Sequence, residues 1–330
     1  MKFAFNAKLS QSISADHFTE RVVFPPKFYP PTLQLIGAPT DVGTTASGAS
    51  SGPMALRNAG LVKGLLQTGR PVLDTGDLQG PNNFDHRERS GYRNLFEVAR
   101  WNRAIDQAVW QALQANRVPV LLGGDHCLAV GSISAVARYC RQRDRRLRVL
   151  WFDAHADFNT AHTSPSGNLH GMPLACLMGL GPDSLVKLAG KEPALKPRQV
   201  RLLGVRSVDP DESCTLSELG VPVLGMQAMA GMSLAQVMAF ALDGVVAGDH
   251  VHVSFDVDCL DPREAPAVGT PVAGGLGVLQ LKTCFEHLAK VGVVHSVDVV
   301  ELNPQYDHDQ QTAAQVVQLL KTLLAGPVAK

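Results

Sequence analysis

Aspartates, glutamates and histidines gather at four places in the sequence, each where a short apolar run stops. The four places are Asp125-His126, the segment Asp153-Ala154-His155-Ala156-Asp157, the triplet Asp256-Val257-Asp258, and the stretch from Asp298 to Glu301. Open α/β sheets bind ligands at the carboxyl ends of their strands, where such polar residues would lie. The sequence therefore predicts one site that is assembled from all four places.

The residue types at these places are typical of a metal site. Alternate residues of an extended chain share a face, so we expect Asp153, His155 and Asp157 to converge, and Asp256 and Asp258 likewise. Carboxylates this close repel one another in a low-dielectric pocket, and cations make such a cluster tolerable. The predicted metal ligands are His126, Asp153, His155, Asp157, Asp256 and Asp258.

The charge of these ligands indicates how many ions they would hold. Four of the six are carboxylates, which balance two divalent ions, whereas one ion would leave a surplus of negative charge. Paired metals that share carboxylates are a common device for activating water in hydrolysis. Because the ligand set is richer in oxygen than a zinc site of Cys and His, it favours two Mn²⁺ ions and leaves nickel, cobalt and iron open.

The elements that position these residues can be predicted from apolar periodicity. Short β-rich runs predict strands at residues 33–37, 118–124, 147–153, 200–205, 250–256 and 293–302. Apolar residues at every third or fourth position predict helices at residues 94–116, 233–248 and 312–324. Nearly continuous apolar strands that alternate with helices are typical of a parallel sheet covered on both faces. The predicted fold is a three-layer α/β/α sandwich with a mainly parallel sheet.

Length and composition bound the class of protein. The chain has 330 residues, of which 45% are hydrophobic and 18% charged, so we expect a folded protein with a sizeable core. We interpret residues 1–30 as an N-terminal arm and residues 31–330 as a single domain. Because Lys plus Arg and Asp plus Glu both number 30, bulk charge predicts neither nucleic acid nor a membrane surface as a partner. The chain has no signal-like or membrane-spanning stretch, which favours a cytoplasmic location, and its six scattered cysteines predict free thiols.

Four segments carry a resemblance to a known family. GGDHCLAVGS, DAHADFNT, SFDVDCLDP and VDVVELNP, in this order, resemble the ureohydrolases, and SPSGNLHGMP resembles the arginases within them. The likeness runs from IGAPTD at residue 36 to the last helix. It implies an arginase/deacetylase-like fold and a homo-oligomer, either a trimer or a hexamer.

The resemblance also implies roles for single residues. One manganese ion would be bound by His126, Asp153, Asp157 and Asp256, and the other by His155, Asp153, Asp256 and Asp258. His170 resembles the family's proton shuttle, and Glu301 the carboxylate that pairs with a guanidinium. The substrate's α-carboxylate would be held by Asn159, Ser166 and Asn168, and its α-ammonium by Asp209, with Glu212 and Thr270 also carried over as substrate-binding residues.

The implied reaction is the hydrolysis of L-arginine to L-ornithine and urea. A metal-bridging hydroxide would attack the guanidinium carbon, and Asp157 would accept the released proton. Three other interpretations stay open. One is a ureohydrolase for another substrate: an agmatinase, a guanidino-acid hydrolase or a formimidoylglutamase. The second is a non-catalytic member of the family that binds an amino acid. The third, a deacetylase on a similar fold, is disfavoured because a single zinc needs neither two aspartate pairs nor the histidine of GGDH.

Overall fold

The structure, a computed structural model, describes residues 31–82 and 88–326. The arm predicted for residues 1–30 lies outside them. The described strands are β1 (Leu33–Gly37), β2 (Val72–Asp77), β3 (Glu88–Arg89), β4 (Tyr92–Arg93), β5 (Val118–Leu122), β6 (Leu147–Phe152), β7 (Val200–Leu203), β8 (Val223–Leu224), β9 (His250–Asp256) and β10 (Val294–Val300). Eight of them form one sheet in the order β2-β1-β5-β10-β9-β6-β7-β8, and every neighbouring pair in it is parallel.

Helices cover both faces of this sheet. They are α1 (Gly52–Asn58), α2 (Leu61–Leu66), α3 (Leu95–Gln114), α4 (Ala129–Gln142), α5 (Pro173–Leu177), α6 (Asp183–Val186), α7 (Pro210–Leu219), α8 (Met226–Met229), α9 (Leu234–Ala241), α10 (Val278–Val291) and α11 (Gln311–Leu324). One apolar cluster joins the sheet to α1, α2, α9, α10 and α11, and a second joins it to α3, α4, α5 and α7. The predicted three-layer α/β/α sandwich is confirmed.

Side-chain alternation along the strands explains the two clusters. In β6, Val149 and Trp151 belong to one cluster, and Leu150 and Phe152 to the other. Successive side chains of a strand point to opposite faces, so a strand that is covered on both sides must be apolar throughout. This is why the interior strands appear in the sequence as uninterrupted apolar runs.

The structure differs from the predicted elements at the edges of the sheet and at the end of one helix. The edge strands β2 and β8 were not predicted, because β2 has the polar sequence VLDTGD and is mostly exposed, and β8 has only two residues. The helix predicted over residues 233–248 ends at Ala241. Gly244 follows with a positive φ of 70°, a backbone conformation that ends an α-helix.

Among the described residues, no helix combines the length and the apolar character needed to cross a membrane.

The order of the strands determines where the site forms. The four strands that precede the acidic and histidine-rich segments are β5, β10, β9 and β6, and they are neighbours in the middle of the sheet. Because all four run parallel, their carboxyl ends meet along one edge. Residues that are more than 100 positions apart in the sequence therefore meet there.

Two histidines lie together near the start of β9 and β10. His250 is buried, and its ring centroid lies 5.0 Å from that of His295. The Arg145 guanidinium is 3.4 Å from Nε2 of His295. Burial and the nearby Arg145 lower the pKa of His295 to about 4. Burial and the neighbouring His295 hold the pKa of His250 well below its usual range. Both rings are therefore neutral in the folded protein near pH 7.

Because both rings stay neutral in the folded protein, we expect the protein to lose stability in mild acid. The unfolded chain binds a proton at each of them near pH 6.5, whereas the folded chain binds one at His295 only near pH 4, so stability is lost as pH falls from about 6.5 towards 4. We expect a drop from pH 7 to pH 5 to lower the free energy of unfolding by about 2 kcal/mol through His295 alone. The measurement is urea unfolding at both pH values for wild type and His295→Asn, in which Oδ1 can still accept the Val251 amide. The pH-dependent loss should be about 2 kcal/mol smaller in the variant; an equal loss in both proteins would refute the prediction.

Candidate active site

The same backbone turn ends three of the four central strands. The side chains of Asp125, Asp153 and Asp256 each accept a hydrogen bond from the backbone N–H two residues later, at 2.9, 2.7 and 2.8 Å. A carboxylate bonded in this way makes an Asx turn, which reverses the chain in a few residues. The extended geometry predicted for residues 153–157 is wrong, because β6 ends at Phe152 and Asp157 has a left-handed φ of 52°. The predicted ligands therefore converge through turns.

One group of predicted ligands surrounds the ring of His126. Its Nδ1 lies 3.1 Å from Asp153 Oδ2, 3.0 Å from Asp157 Oδ2 and 3.0 Å from Asp256 Oδ2. All four side chains are buried. The Nε2 atom of His126 lies 2.8 Å from Ser254 Oγ. When Nε2 carries the proton and donates it to Ser254, the lone pair of Nδ1 faces three carboxylate oxygens.

This arrangement fits a cation. Within the described residues, Nδ1 of His126 and Oδ2 of Asp157 are buried without a hydrogen-bond partner. Acceptor atoms that face one another repel unless a positive charge lies between them. Metal-bound histidines almost always donate their other ring N–H to a nearby acceptor, as His126 can to Ser254. The donor set, and the Ser254 partner of His126, are thus compatible with a bound metal ion.

A second group adjoins the first. Nδ1 of His155 lies 3.0 Å from Asp258 Oδ2 and 3.6 Å from Asp153 Oδ1. Asp153 therefore directs one carboxylate oxygen towards each histidine, and its ligand atoms could serve either group. Two adjacent groups that share a carboxylate fit a pair of ions.

The raised pKa values of two carboxyl groups in the cluster also favour a bound cation. Burial and the nearby Asp153 raise the pKa of Asp157 to about 7. Burial, Asp258 and Asp153 hold the pKa of Asp256 well above its usual range. Desolvation and like charges disfavour the ionised carboxylates, and a bound cation would reverse both effects.

Glu301 and His170 meet beside the first group. Glu301 follows β10 with a positive φ of 63°, and its Oε1 accepts the backbone N–H of His126 at 2.9 Å. The same oxygen lies 3.2 Å from Nδ1 of His170. Burial opposes charge on His170, but the Glu301 carboxylate outweighs it and raises the pKa of His170 to about 9. The structure thus places the predicted proton shuttle against the predicted guanidinium partner.

A cleft opens beside the two groups. Its lining includes five of the six predicted metal ligands, together with His170 and Glu301. Four predicted substrate-binding residues also line it: Asn159, Asp209, Glu212 and Thr270. Ser166 and Asn168 do not line the cleft. They lie on the loop between Asn159 and His170, which both do.

The substrate-binding candidates are tied to one another and to the ligands. Nδ2 of Asn159 donates to Asp209 Oδ2 at 3.0 Å, and the Thr270 hydroxyl donates to Asp258 Oδ2 at 3.2 Å. Glu212 accepts the backbone N–H of Phe158 at 2.7 Å with Oε1 and that of Asp209 at 3.1 Å with Oε2. Both oxygens of Glu212 therefore fix the backbone that carries its neighbours in the cleft.

Several residues at the site were not singled out from the sequence. Ser207 and Gly171 line the cleft. Asp125 is fully buried and accepts the Gly43 N–H at 2.9 Å, while the Gly43 carbonyl accepts the His170 N–H at 3.0 Å. The only sequence signal for Asp125 is its place directly before His126. It supports the backbone of His170.

Other polar and cysteine residues near the strand ends lie behind the site. Asp298 accepts the Ser132 hydroxyl at 2.6 Å and lies 3.2 Å from His252, and it does not line the cleft. Cys127 and Cys259 are buried, and all six cysteines are free. These two thiols take part in the apolar packing.

Known proteins are similar to this chain in both fold and sequence. A model of the Arginase family matches residues 32–326. The arginase of Bacillus subtilis (strain 168) is 39% identical over 294 residues, which cover 89% of this chain and 97% of that protein. The crystal structure of arginase from Bacillus cereus has a TM-score of 0.84 at 36% identity and covers 91% of this chain and 100% of its own. The Entamoeba histolytica arginase in complex with L-ornithine has a TM-score of 0.83 at 29% identity, with coverages of 90% and 99%. The chain therefore belongs to the Arginase family.

Proposed function

We propose that this chain hydrolyses L-arginine to L-ornithine and urea, using two divalent ions, in the first instance Mn²⁺. The observation that carries the proposal is the pair of ligand groups that share Asp153 beside a cleft containing Glu301. Relatives that cover most of the chain are named arginases, and one was solved with L-ornithine, the product expected here. Both facts support the proposal.

The ligand groups define which residues would hold each ion. His126, Asp153, Asp157 and Asp256, which lie together, would bind one Mn²⁺. The other would be bound by His155, Asp153 and Asp258, which also lie together, and by Asp256, which the resemblance to the family adds. When bound, the pair of ions would supply the nucleophile by lowering the pKa of a shared water towards ~7. Imidazole and carboxylate ligands suit manganese, and nickel, cobalt and iron are the other candidates.

The remaining side chains bind the guanidinium and move protons. Glu301 would orient the planar cation through charge-assisted hydrogen bonds. Asp157, which also lines the cleft, would accept the proton that the nucleophile releases. His170 would relay a proton between solvent and the leaving amine, because the Glu301 carboxylate raises the pKa of His170 to about 9 and keeps the imidazole protonated near pH 7, ready to donate. Its contact with Glu301 supports a position next to the guanidinium in the bound substrate.

The far end of the substrate would be held by the second set of residues. Asp209 would pair with the α-ammonium group, and its bond to Asn159 keeps the two polar groups together. Asn159, Ser166 and Asn168 would bind the α-carboxylate. Thr270 would act beside Asp258, and Glu212 would act mainly through the backbone amides that it accepts.

Residues 31–330 would form a single domain, because one sheet joins strands from Leu33 to Val300. The chain would assemble into a trimer or hexamer and act in the cytoplasm.

Product release by the manganese-loaded chain tests the substrate, with urea measured for the guanidino compounds and formamide for N-formimino-L-glutamate. We expect L-arginine to exceed agmatine, 4-guanidinobutyrate and N-formimino-L-glutamate in kcat/KM by at least ~10²-fold, because buried polar groups left without partners disfavour analogues that lack the α-carboxylate or a free α-ammonium group. Chelated protein is the control and should be inactive. Preference for another amidino compound would overturn the choice of substrate, and no turnover of any of them would overturn the catalytic role.

A further inference from the structure

A short hairpin outside the main sheet lies against the loop that carries Ser166 and Asn168. Its strands, β3 and β4, pair antiparallel and are joined by Ser90 and Gly91, which have positive φ angles of 54° and 79°. Two consecutive positive φ values are typical of the tight hairpin turn that matches the twist of its strands. The turn thus brings Gly91 and Arg93 to the same side of the molecule as the loop.

The hairpin contacts the loop at both of its ends. The backbone N–H of Arg93 donates to the Gly167 carbonyl at 2.8 Å, and Nε of Arg93 donates to the Ser166 carbonyl at 2.6 Å. At the other end, a Cβ added at Gly91 would lie 2.6 Å from Cβ of Ala161 and 2.8 Å from its carbonyl oxygen. The hairpin and the loop are therefore in close backbone contact.

The hairpin is itself anchored on its other side. Tyr92 packs against the apolar cluster that joins the sheet to α3 and α4. Asn94, directly after Arg93, donates from Nδ2 to the Val42 carbonyl at 2.9 Å, and α3 begins at Leu95. Arg93 thus stands between two residues that are held by the body of the fold. Because its backbone is fixed in this way, the hydrogen bonds from Arg93 to the loop restrict the loop as well.

The hydrogen bonds of Ser166 and Gly167 within the loop are local, whereas Asn168 is also held from outside the loop by its Nδ2, which donates to the Thr45 hydroxyl at 3.2 Å. Ser164 Oγ accepts the Gly167 N–H at 3.0 Å, and Ser166 Oγ accepts the Asn168 N–H at 3.2 Å. Gly167 has a positive φ of 69°, a conformation that glycine adopts at low cost. Ser166 itself is exposed. The orientation of the Ser166–Gly167 and Gly167–Asn168 peptides therefore depends on the two carbonyls that Arg93 binds.

We infer that Arg93 is a positioning residue for recognition of the substrate's α-carboxylate. By fixing the carbonyls of Ser166 and Gly167, it holds the Ser166 hydroxyl and the Asn168 amide where they would meet that group. The inference rests on the proposed function, in which Ser166 and Asn168 bind the α-carboxylate.

The test compares a ligand that has the carboxylate with one that lacks it. The variants are Arg93→Ala, Asn168→Ala and the control Arg141→Ala, which removes a guanidinium bonded to the Ala189 and Pro193 carbonyls away from the cleft. We would measure KM and kcat for L-arginine and the inhibition constant of agmatine, which has no carboxylate. We expect Arg93→Ala to raise KM for L-arginine roughly fivefold to tenfold, with kcat and the agmatine constant within about twofold of wild type. Arg141→Ala should leave all three unchanged.

Three results would overturn the inference. If Asn168→Ala raises KM for L-arginine but Arg93→Ala does not, Arg93 has no positioning role and the proposed function stands. If Arg93→Ala weakens L-arginine and agmatine equally, the hairpin supports the site in general and not the carboxylate end. If Asn168→Ala itself has no effect, the carboxylate assignment within the proposed function fails as well. Gly91→Ala, which forces the hairpin away from Ala161, should reproduce the selective rise in KM by a second route.

Discussion

Asp153→Asn is expected to lower urea release from L-arginine by on the order of 10³-fold and to leave fewer than two ions bound per chain. Partners in the second layer around a metal already contribute 10- to 100-fold to its affinity or activity, so a ligand shared by two ions should contribute more. Asp153 directs one oxygen towards His126 and the other towards His155. Asparagine would present an NH₂ group to one of the two sites and could not ligate there.

Asp261→Asn is the matched control for that substitution. Asp261 is also buried, and it also accepts the backbone N–H two residues later, at 3.0 Å, but it belongs to neither ligand group. The control should keep two ions and most of the activity. Metal content after gel filtration, kcat and thermal unfolding would be measured for both variants. Two tightly bound ions in Asp153→Asn would contradict the assignment of Asp153 as a shared ligand.

Glu301→Gln is expected to lower kcat/KM for L-arginine by ~10³-fold while both ions stay bound. Removing one partner of a buried, hydrogen-bonded charge pair costs about 4 kcal/mol, which corresponds to that factor. The glutamine Oε1 could still accept the His126 N–H that Glu301 accepts at 2.9 Å, so the backbone next to the ligands is retained. Its NH₂ group, in contrast, would face the donors of the guanidinium.

Glu264→Gln provides the comparison for Glu301. Glu264 accepts the Val278 N–H at 2.9 Å on the surface and lies outside the cleft, so its replacement should not alter kcat/KM. Steady-state kinetics and metal analysis on the same preparations separate binding of substrate from binding of metal. A loss of ions in Glu301→Gln comparable to that in Asp153→Asn would show that Glu301 acts on the metals and not on the guanidinium.

The interior of the fold could be predicted because burial imposes a strong pattern. β1, β5, β6, β7, β9 and β10 each fall within a predicted apolar run, and each lies inside the sheet. The edge strands β2 and β8 lack that pattern, since an edge strand has fewer neighbours and tolerates polar residues. The end of α9 depends on the backbone of Gly244, which the apolar periodicity of residues 233–248 does not reveal.

The residues of the candidate site could be predicted from their types, but the turns through which they converge could not. The polar residues after β5, β6, β9 and β10 identified the ligand segments, because parallel strands end at one edge. The alternation expected for Asp153, His155 and Asp157 does not persist beyond Phe152, where the Asp153 side chain closes a turn. That turn is a local hydrogen bond with no periodic signal.

Contacts between residues that are far apart in the chain could not be predicted from the sequence. Glu212 binds the Phe158 amide, and Arg93 binds the Ser166 carbonyl, across 54 and 73 positions respectively. Nothing near these residues in the chain indicates such partners. They become visible only when the fold brings the segments together.

If the chain hydrolyses L-arginine with two divalent ions, its activity should follow the occupancy of both sites. This can be measured as the rate of urea and ornithine formation as Mn²⁺ is added to chelated protein, with bound manganese determined for each sample. We expect equal amounts of the two products and a rate that reaches its maximum only as occupancy approaches two ions per chain. A maximal rate at one ion, undiminished activity in fully chelated protein, or no urea at any occupancy would contradict it.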